Sequence, residues 1–297
     1  MSNKLCSEQE NKVIPKGLLV AIGGKEDKIN DPQILSTIVS LIKKQKKKIE
    51  ILTTATEYPK EMAETYFKVF KNKDHTVKSM HISSHEQAAD KALVKRITEA
   101  DIIFLTGGSQ LRITSILGGT PIEKEILRKY EEEYCIIAGT SAGANVMSET
   151  MIYRGEGEDA MRKDTINMSP GMGLIENVII DTHFVERGRF TRFMQIVSMN
   201  RKNIGIGLSE DVAVIIEGGR ILHTTGSGTT VILDGQHLKY TNVAEIQSDE
   251  AIAIENLVIH TIVKNHGYDL CEKKYLKPDD LKKLDKLGIE VTINENN

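Results

Sequence analysis

Short apolar runs alternate with amphipathic stretches through the first half of the chain. GLLVAIGG (17–24) is a continuous apolar run ending in glycine and predicts a buried strand. Ile34, Leu35, Ile38, Val39, Leu41 and Ile42 then recur at helical spacing. IEILTTA (49–55) predicts a second strand, followed by a helix around 60–71, a short strand near 77–82 and a helix around 86–98. ADIIFLTGG (100–108) is a third strong apolar strand ending in glycines. Helical segments follow near 110–117 and 122–132, and CIIAGT (135–140) is the next strand. Apolar strands alternating with amphipathic helices predict an α/β fold, a parallel sheet with helices on both faces. Right-handed crossovers bring the strand C-termini to one edge, where such folds keep their sites.

The pattern changes after about residue 203, where short β-rich segments dominate. In AVIIEGGRILHT (213–224) the pair Gly218-Gly219 separates two apolar runs, a hairpin signal. TTVILDGQHLKY and the recurring Ile and Val of 252–263 continue in that style. There is no repeat, low-complexity segment or linker, so residues 1–297 read as one α/β unit with a β-rich extension over 203–265. From Pro278, with Leu281, Leu284 and Leu287, the chain predicts a helix and then a tail.

Composition narrows the classes. With 297 residues, 40% of them hydrophobic and 27% charged, the chain is an ordinary globular one. A net charge of −3 gives no basis for binding nucleic acid or a membrane surface. The lysine run at 43–48 could suggest phosphate binding, but it follows an apolar helical pattern and reads as a solvated helix C-terminus. Cys6, Cys135 and Cys271 are odd in number, widely spaced and without metal-ligand spacing, which suits a reduced compartment. The polar first 16 residues read as a flexible arm without a signal core. No apolar run approaches the roughly 20 residues of a membrane span.

Chemistry enters at IIAGTSAGA (136–144). Gly139-Thr140-Ser141-Ala142-Gly143 has the form Gly-x-Ser-x-Gly, placed after a strand and before a helix-compatible run, Ala142 to Glu149. A sharp strand-to-helix turn of this kind needs small neighbours and presents the serine hydroxyl clear of the sheet. The Ala142 amide is then placed to donate to a developing oxyanion, and Gly108 in LTGGSQLRIT (105–114) offers a second donor. Gln110, in the same segment, can donate to and accept from a peptide group.

A nucleophile needs a base. Of the eight histidines, His75, His81 and His85 lie in surface-like segments and His223, His237, His260 and His266 in the β-rich part. His183 alone ends an apolar strand, VIIDTHF (178–184), on the edge that also carries Ser141. Asp181, Arg187, Arg189 and Arg192 surround it, and three forked guanidiniums opening a helix suit carboxylate recognition. An acid to orient the histidine is sought in GEGED (155–159), with Glu158 first and Asp159 second.

Together GTSAGA (139–144), TGGSQ (106–110) and D-x-H-F-x-x-R-x-R-x-x-R (181–192) resemble the cyanophycinase family, the serine-peptidase group that also contains the α-aspartyl dipeptidases. LLVAIGGKED, PGMGLI (170–175) and GIGLSED (205–211) fit the same pattern in the same order, and the resemblance spans about residues 17–265. It implies a flavodoxin-like or class I amidotransferase-like core, a cytoplasmic homodimer, and no metal or other cofactor. The substrate it implies is cyanophycin, a poly-aspartate backbone with an arginine amide-linked to each side-chain carboxyl. The implied reaction cuts α-peptide bonds of that backbone and releases β-aspartyl-arginine dipeptides. Ser141 would be nucleophile, His183 base and Glu158 or Asp159 its orienter, with Gln110, Asp181, Arg187, Arg189 and Arg192 lining the groove. The family commonly has an acid where Ser109 stands and a serine where Gly157 stands. The rival expectations are an aspartyl dipeptidase or isopeptide hydrolase, and a non-catalytic relative that keeps the turn only as architecture. An amidotransferase would use cysteine where Ser141 stands.

Overall fold

A computed structural model describes residues 14–155 and 161–286. The four apolar runs and the short segment near 77–82 form the strands β1 (Leu18–Ile22), β2 (Lys48–Leu52), β3 (Thr76–Met80), β4 (Ile102–Leu105) and β5 (Ile136–Thr140). The helices between them are α1 (Gln33–Ser40), α2 (Pro59–Phe70), α3 (Lys91–Glu99), α4 (Gln110–Leu117) and α5 (Pro121–Glu132). The strands lie in the order β1-β5-β4-β2-β3 and pair in parallel. Continuous apolar runs arise because both faces are covered. Leu18, Val20 and Ile22 join one hydrophobic cluster, whereas Leu19 and Ala21 join the other. β3, at the edge, is mostly exposed and polar, which discourages pairing with another chain.

Local chemistry sets where helices begin. The Asp90 carboxylate accepts from the Ala92 and Leu93 amides at the start of α3. The Ser109 hydroxyl accepts from Arg112 at α4, and Thr120, followed by Pro121, caps α5. The lysine run spans the loop after α1 and the first residue of β2, with Lys44 paired to Asp101 and Lys48 to Glu99. It is exposed as expected, but it is not a helix terminus.

Downstream come a short helix α6 (Ala142–Asn145), the antiparallel pair β6 (Thr150–Arg154) and β7 (Asn167–Pro170), β8 (Val178–Thr182), α7 (Phe190–Met199) and β9 (Ile204–Leu208). The β-rich stretch follows as β10 (Val212–Glu217), β11 (Ile221–Gly226), β12 (Thr230–Asp234), β13 (Tyr240–Thr241), β14 (Ile254–Glu255), β15 (Val258–Ile262), β16 (Gly267–Asp269) and β17 (Lys274–Leu276). It closes on α8 (Pro278–Lys286), which buries Leu281. β10 pairs antiparallel along all of β1, and β11, β16 and β17 extend the same sheet to nine strands. The expected hairpin turns at Gly218-Gly219, both with positive φ. β15-β12-β9-β8 form a second sheet of four strands. The result is the mixed α/β architecture that the pattern predicts, with the β-rich part divided between two sheets.

Two expectations need correction. The helix after Ser141 is four residues long rather than running to Glu149, because the Met147 and Glu149 amides turn to Ala144 and Ile175. Cys135 is a buried free thiol, but Cys271 is disulfide-bonded, so the cysteines are not all reduced. Among the described residues no helix is long and apolar enough to cross a membrane.

Candidate active site

β5 runs into α6 through Ser141, whose φ of 52° and ψ of −114° lie where an L side chain is strained. Such a conformation costs on the order of 1–3 kcal/mol and persists only when its surroundings over-determine it. Here they do. The Ser141 amide donates to Ile22 O at 3.0 Å, and its carbonyl accepts from Ala144 and Asn145, each at 3.0 Å. The flanking glycines are needed for space: a Cβ on Gly139 would meet Gly143 O at 2.3 Å, and one on Gly143 would meet Leu105 O at 2.2 Å. Ala142 opens α6, so its amide has no intrahelical acceptor. Gly107 lies against the serine, with a Cβ position 3.5 Å from Ser141 Cβ, and Gly108 follows it in exposed backbone at φ 142°. These are the two positions expected for oxyanion donors.

His183 leaves the end of β8 with φ 49°, pinned from both sides. Its own amide donates to Gly23 O at 3.0 Å, and the next residue, Phe184, is fully buried against Phe190 and Phe193. The ring lies 3.1 Å from Ser141 Oγ through Nε2 and 2.8 Å from Glu210 Oε1 through Nδ1. A carboxylate can only accept, so Nδ1 carries the proton toward Glu210 and Nε2 is left to accept from the serine hydroxyl. Glu210 Oε1 also receives Lys25 Nζ at 2.9 Å. Burial pushes the Glu210 carboxyl up, but hydrogen bonds from Lys25 and His183 outweigh it and hold the group below its ordinary value. It stays ionised, as an acceptor for an imidazole must.

One turn organises all three. Three successive carbonyls from the last residue of β1 onward each take an amide from a different arm of the site: Ile22 from Ser141, Gly23 from His183 and Gly24 from Asp211, next to Glu210. Gly24 sits at φ 102°, and a Cβ there would stand 2.4 Å from His183 Cε1. The turn therefore needs glycine both for its backbone and for the imidazole above it.

The remaining candidates divide. Asp181 is fully buried, and its carboxylate accepts from Arg189 at 3.0 Å and from Arg192 Nε at 2.6 Å and Nη2. Arg189 also donates to Thr182 O and Arg192 to Gly155 O. Both arginines are buried as well, so these three form an internal ion-pair cluster behind the strand end rather than an open fork. Arg187 is exposed, its amide held by His183 O. Gln110 is half-buried and donates to Ile152 O at 3.1 Å. Glu158 and Asp159 lie outside the described residues, and the acid on the imidazole is Glu210. The sequence signal for Glu210 is an acid just beyond the apolar strand 204–208, in GIGLSED (205–211).

A nucleophile turn, an imidazole and a carboxylate in hydrogen-bonded series are the parts of a serine hydrolase. The chain matches peptidase family S51 over residues 18–224, and it belongs to that family. It is a serine-type peptidase. Cyanophycinase of Synechococcus elongatus is 30% identical over 256 residues, covering 86% of this chain and 80% of that protein. Cyanophycinase of Geminocystis herdmanii (strain PCC 6308) is 31% identical over 252 residues, covering 84% and 91%. Among solved structures, a peptidase from an acI-B1 Actinobacterium superposes with a TM-score of 0.62 at 19% identity, covering 86% of this chain and 98% of that one. That last likeness concerns the fold alone.

Proposed function

We propose that this chain is a cyanophycinase: it hydrolyses α-peptide bonds in the poly-aspartate backbone of cyanophycin and releases β-aspartyl-arginine dipeptides. The observation that carries the reading is the series Ser141 Oγ, His183 and Glu210, at 3.1 Å and 2.8 Å. The curated relatives named cyanophycinase supply the substrate class. Ser141 attacks the scissile carbonyl while His183 Nε2 takes its proton; Glu210 holds the ring and stabilises the imidazolium. The Gly108 and Ala142 amides receive the oxyanion. His183 then protonates the leaving amine, and water activated by the same ring frees the acyl group from Ser141.

Asp181, Arg189 and Arg192 keep the strand end that carries His183 in place, while exposed Arg187 and half-buried Gln110 lie outside that cluster and are the groove candidates. The homodimer that the resemblance implies belongs to this proposal and is tested by light scattering on the purified protein. Its other implication, a cytoplasmic location, belongs to this proposal too; a non-reducing gel of freshly lysed cells, which reads whether Cys271 is bridged in the cell, tests it.

The direct test incubates purified protein with insoluble cyanophycin and reads soluble products by mass. β-Asp-Arg with wild type and none with Ser141→Ala supports the reading. Cleavage of short aspartyl peptides without release from the polymer moves the enzyme to the dipeptidase side of the family.

A further inference from the structure

Glu26, in the segment GGKED that follows β1, carries a charge that the relay does not use. Its side chain is 0% exposed, and three groups meet its carboxylate. The Tyr66 hydroxyl of α2 donates to Oε1 at 2.6 Å, and the Thr140 hydroxyl donates to Oε2 at 2.7 Å. Lys28 Nζ stands 3.1 Å from Oε1 and donates to the Glu26 carbonyl at 2.9 Å. Burial and then the Glu26 charge push the Tyr66 phenol well above its ordinary value, so it keeps the proton it donates. A buried carboxylate is costly unless its partners are in place, and replacing such a group by apolar packing is often neutral or stabilising. What the charge adds is direction, through two short bonds that fix Thr140 and Tyr66 against one loop.

Thr140 is where that direction matters. It is the last residue of β5, lies opposite Ile22 in the register with β1, and precedes the strained serine. The φ angle of Ser141 is the rotation that joins the Thr140–Ser141 peptide to the serine Cα. A turn held at 52° relaxes unless that peptide is fixed. Strand pairing fixes the Thr140 backbone, and Glu26 fixes its side chain. The same short segment already touches the rest of the site. Ile22, Gly23 and Gly24 give carbonyls to Ser141, His183 and Asp211, and Lys25 reaches Glu210. Glu26 adds the residue before the nucleophile to that set, by a charge-assisted bond out of reach of solvent. Tyr66 ties the carboxylate in turn to α2, where its ring packs on Phe70 and Phe104. The anchor therefore rests on the helix layer and not on a loop alone.

We propose that Glu26 is a positioning residue for the nucleophile: through the Thr140 hydroxyl it holds the Ser141 turn at the backbone angle that sets Oγ 3.1 Å from His183 Nε2. This rests on Ser141 acting as nucleophile, as in the functional reading above, and not on which peptide is cut. No proton passes through Glu26, and it acts on the rate by geometry.

The test measures the rate at which a fluorophosphonate labels Ser141, with kcat and KM on a short aspartyl peptide, in wild type, Thr140→Val, Thr140→Ser and Glu26→Gln. Thermal unfolding sets a working temperature at which each protein is folded. Thr140→Val keeps the shape and removes the donor, so labelling and kcat should both fall about ten-fold while KM stays within about two-fold. Thr140→Ser returns the hydroxyl and should restore both rates. Glu26→Gln also strips Lys28 of its counter-charge and should lose at least as much rate; if it does not fold, the Thr140 pair decides alone. Lys273→Met is the control for a purely structural loss. It breaks a buried pair with Asp234, at 2.7 Å between the β16–β17 turn and β12, and should cost stability while labelling at the wild-type rate. Wild-type rates in Thr140→Val, or rates in Thr140→Ser as low as in Thr140→Val, would overturn the positioning role and leave the peptidase reading intact. A wild type that takes no label at Ser141 would overturn the nucleophile assignment, and this role with it.

Discussion

Asp181 and His183 stand two residues apart at the end of one strand, yet their charged partners do opposite kinds of work. Asp181 is sealed from solvent and gripped by Arg189 and Arg192, a fixed arrangement in which no proton has reason to move. His183 faces a hydroxyl on one side and a carboxylate on the other, and only one of its nitrogens needs a fixed proton. The Glu210 side chain retains 20% of its exposure, and Lys25 beside it is 72% exposed. In the proposed mechanism the buried cluster sets position and the half-open series sets reactivity. Residues two apart in sequence can belong to separate energetic units, one read by stability and the other by rate.

The comparison breaks most sharply at Glu210. Glu210→Gln keeps the shape but removes the charge that stabilises imidazolium, so kcat should fall on the order of 10³–10⁴-fold. Stability should stay near wild type. Asp181→Asn should do the reverse. It leaves buried guanidiniums without their carboxylate and should cost about 3–5 kcal/mol in urea unfolding. If the two variants gave the same balance of rate and stability loss, the division between the units would be wrong.

Gly24→Ala comes next. Its methyl would stand 2.4 Å from His183 Cε1, on a backbone at φ 102°. A ring displaced by that contact should lower kcat about 100-fold, as misplacement of a catalytic group by about 1 Å does, with a smaller loss of thermal stability.

The smallest effect is expected at Lys25. Glu210 titrates below its ordinary value, so its contribution to stability is present above that value and is lost only as pH falls through the lower, folded one. Lys25→Ala removes one of the two hydrogen bonds responsible. Glu210 then protonates at higher pH, and the acid edge of the kcat/KM profile should move upward while kcat at its optimum changes less than about ten-fold. An unmoved acid edge would show that Lys25 does not tune the carboxylate.

Much of this arrangement was legible in the chain. Uninterrupted apolar runs give four of the five parallel strands because both faces of that half of the sheet are covered, and the polar β3 closes its edge. Gly-x-Ser-x-Gly marks the turn because only glycine fits against Gly143 O and Leu105 O. His183 stood out by ending an apolar strand. Glu210 did not, since its place depends on the parallel pairing of β8 with β9, which sets Thr182 opposite Leu208 and brings the segments beyond both strands together. No spacing within 178–184 records that register. Arg189 and Arg192 were read as an outward fork because local sequence does not say that α7 folds its first turn back onto Asp181. The Ile22-Gly23-Gly24 turn looked like a strand end, and its three carbonyls acquire meaning only when three distant segments converge on them.

The most direct measurement is the rate at which a fluorophosphonate labels the protein, with the modified residue located by mass, in wild type and Glu210→Gln. A working Ser141–His183–Glu210 series predicts a single adduct at Ser141, formed at least about 100-fold more slowly in the variant at unchanged thermal stability. Labelling at another residue, or equal rates in the two proteins, would contradict it.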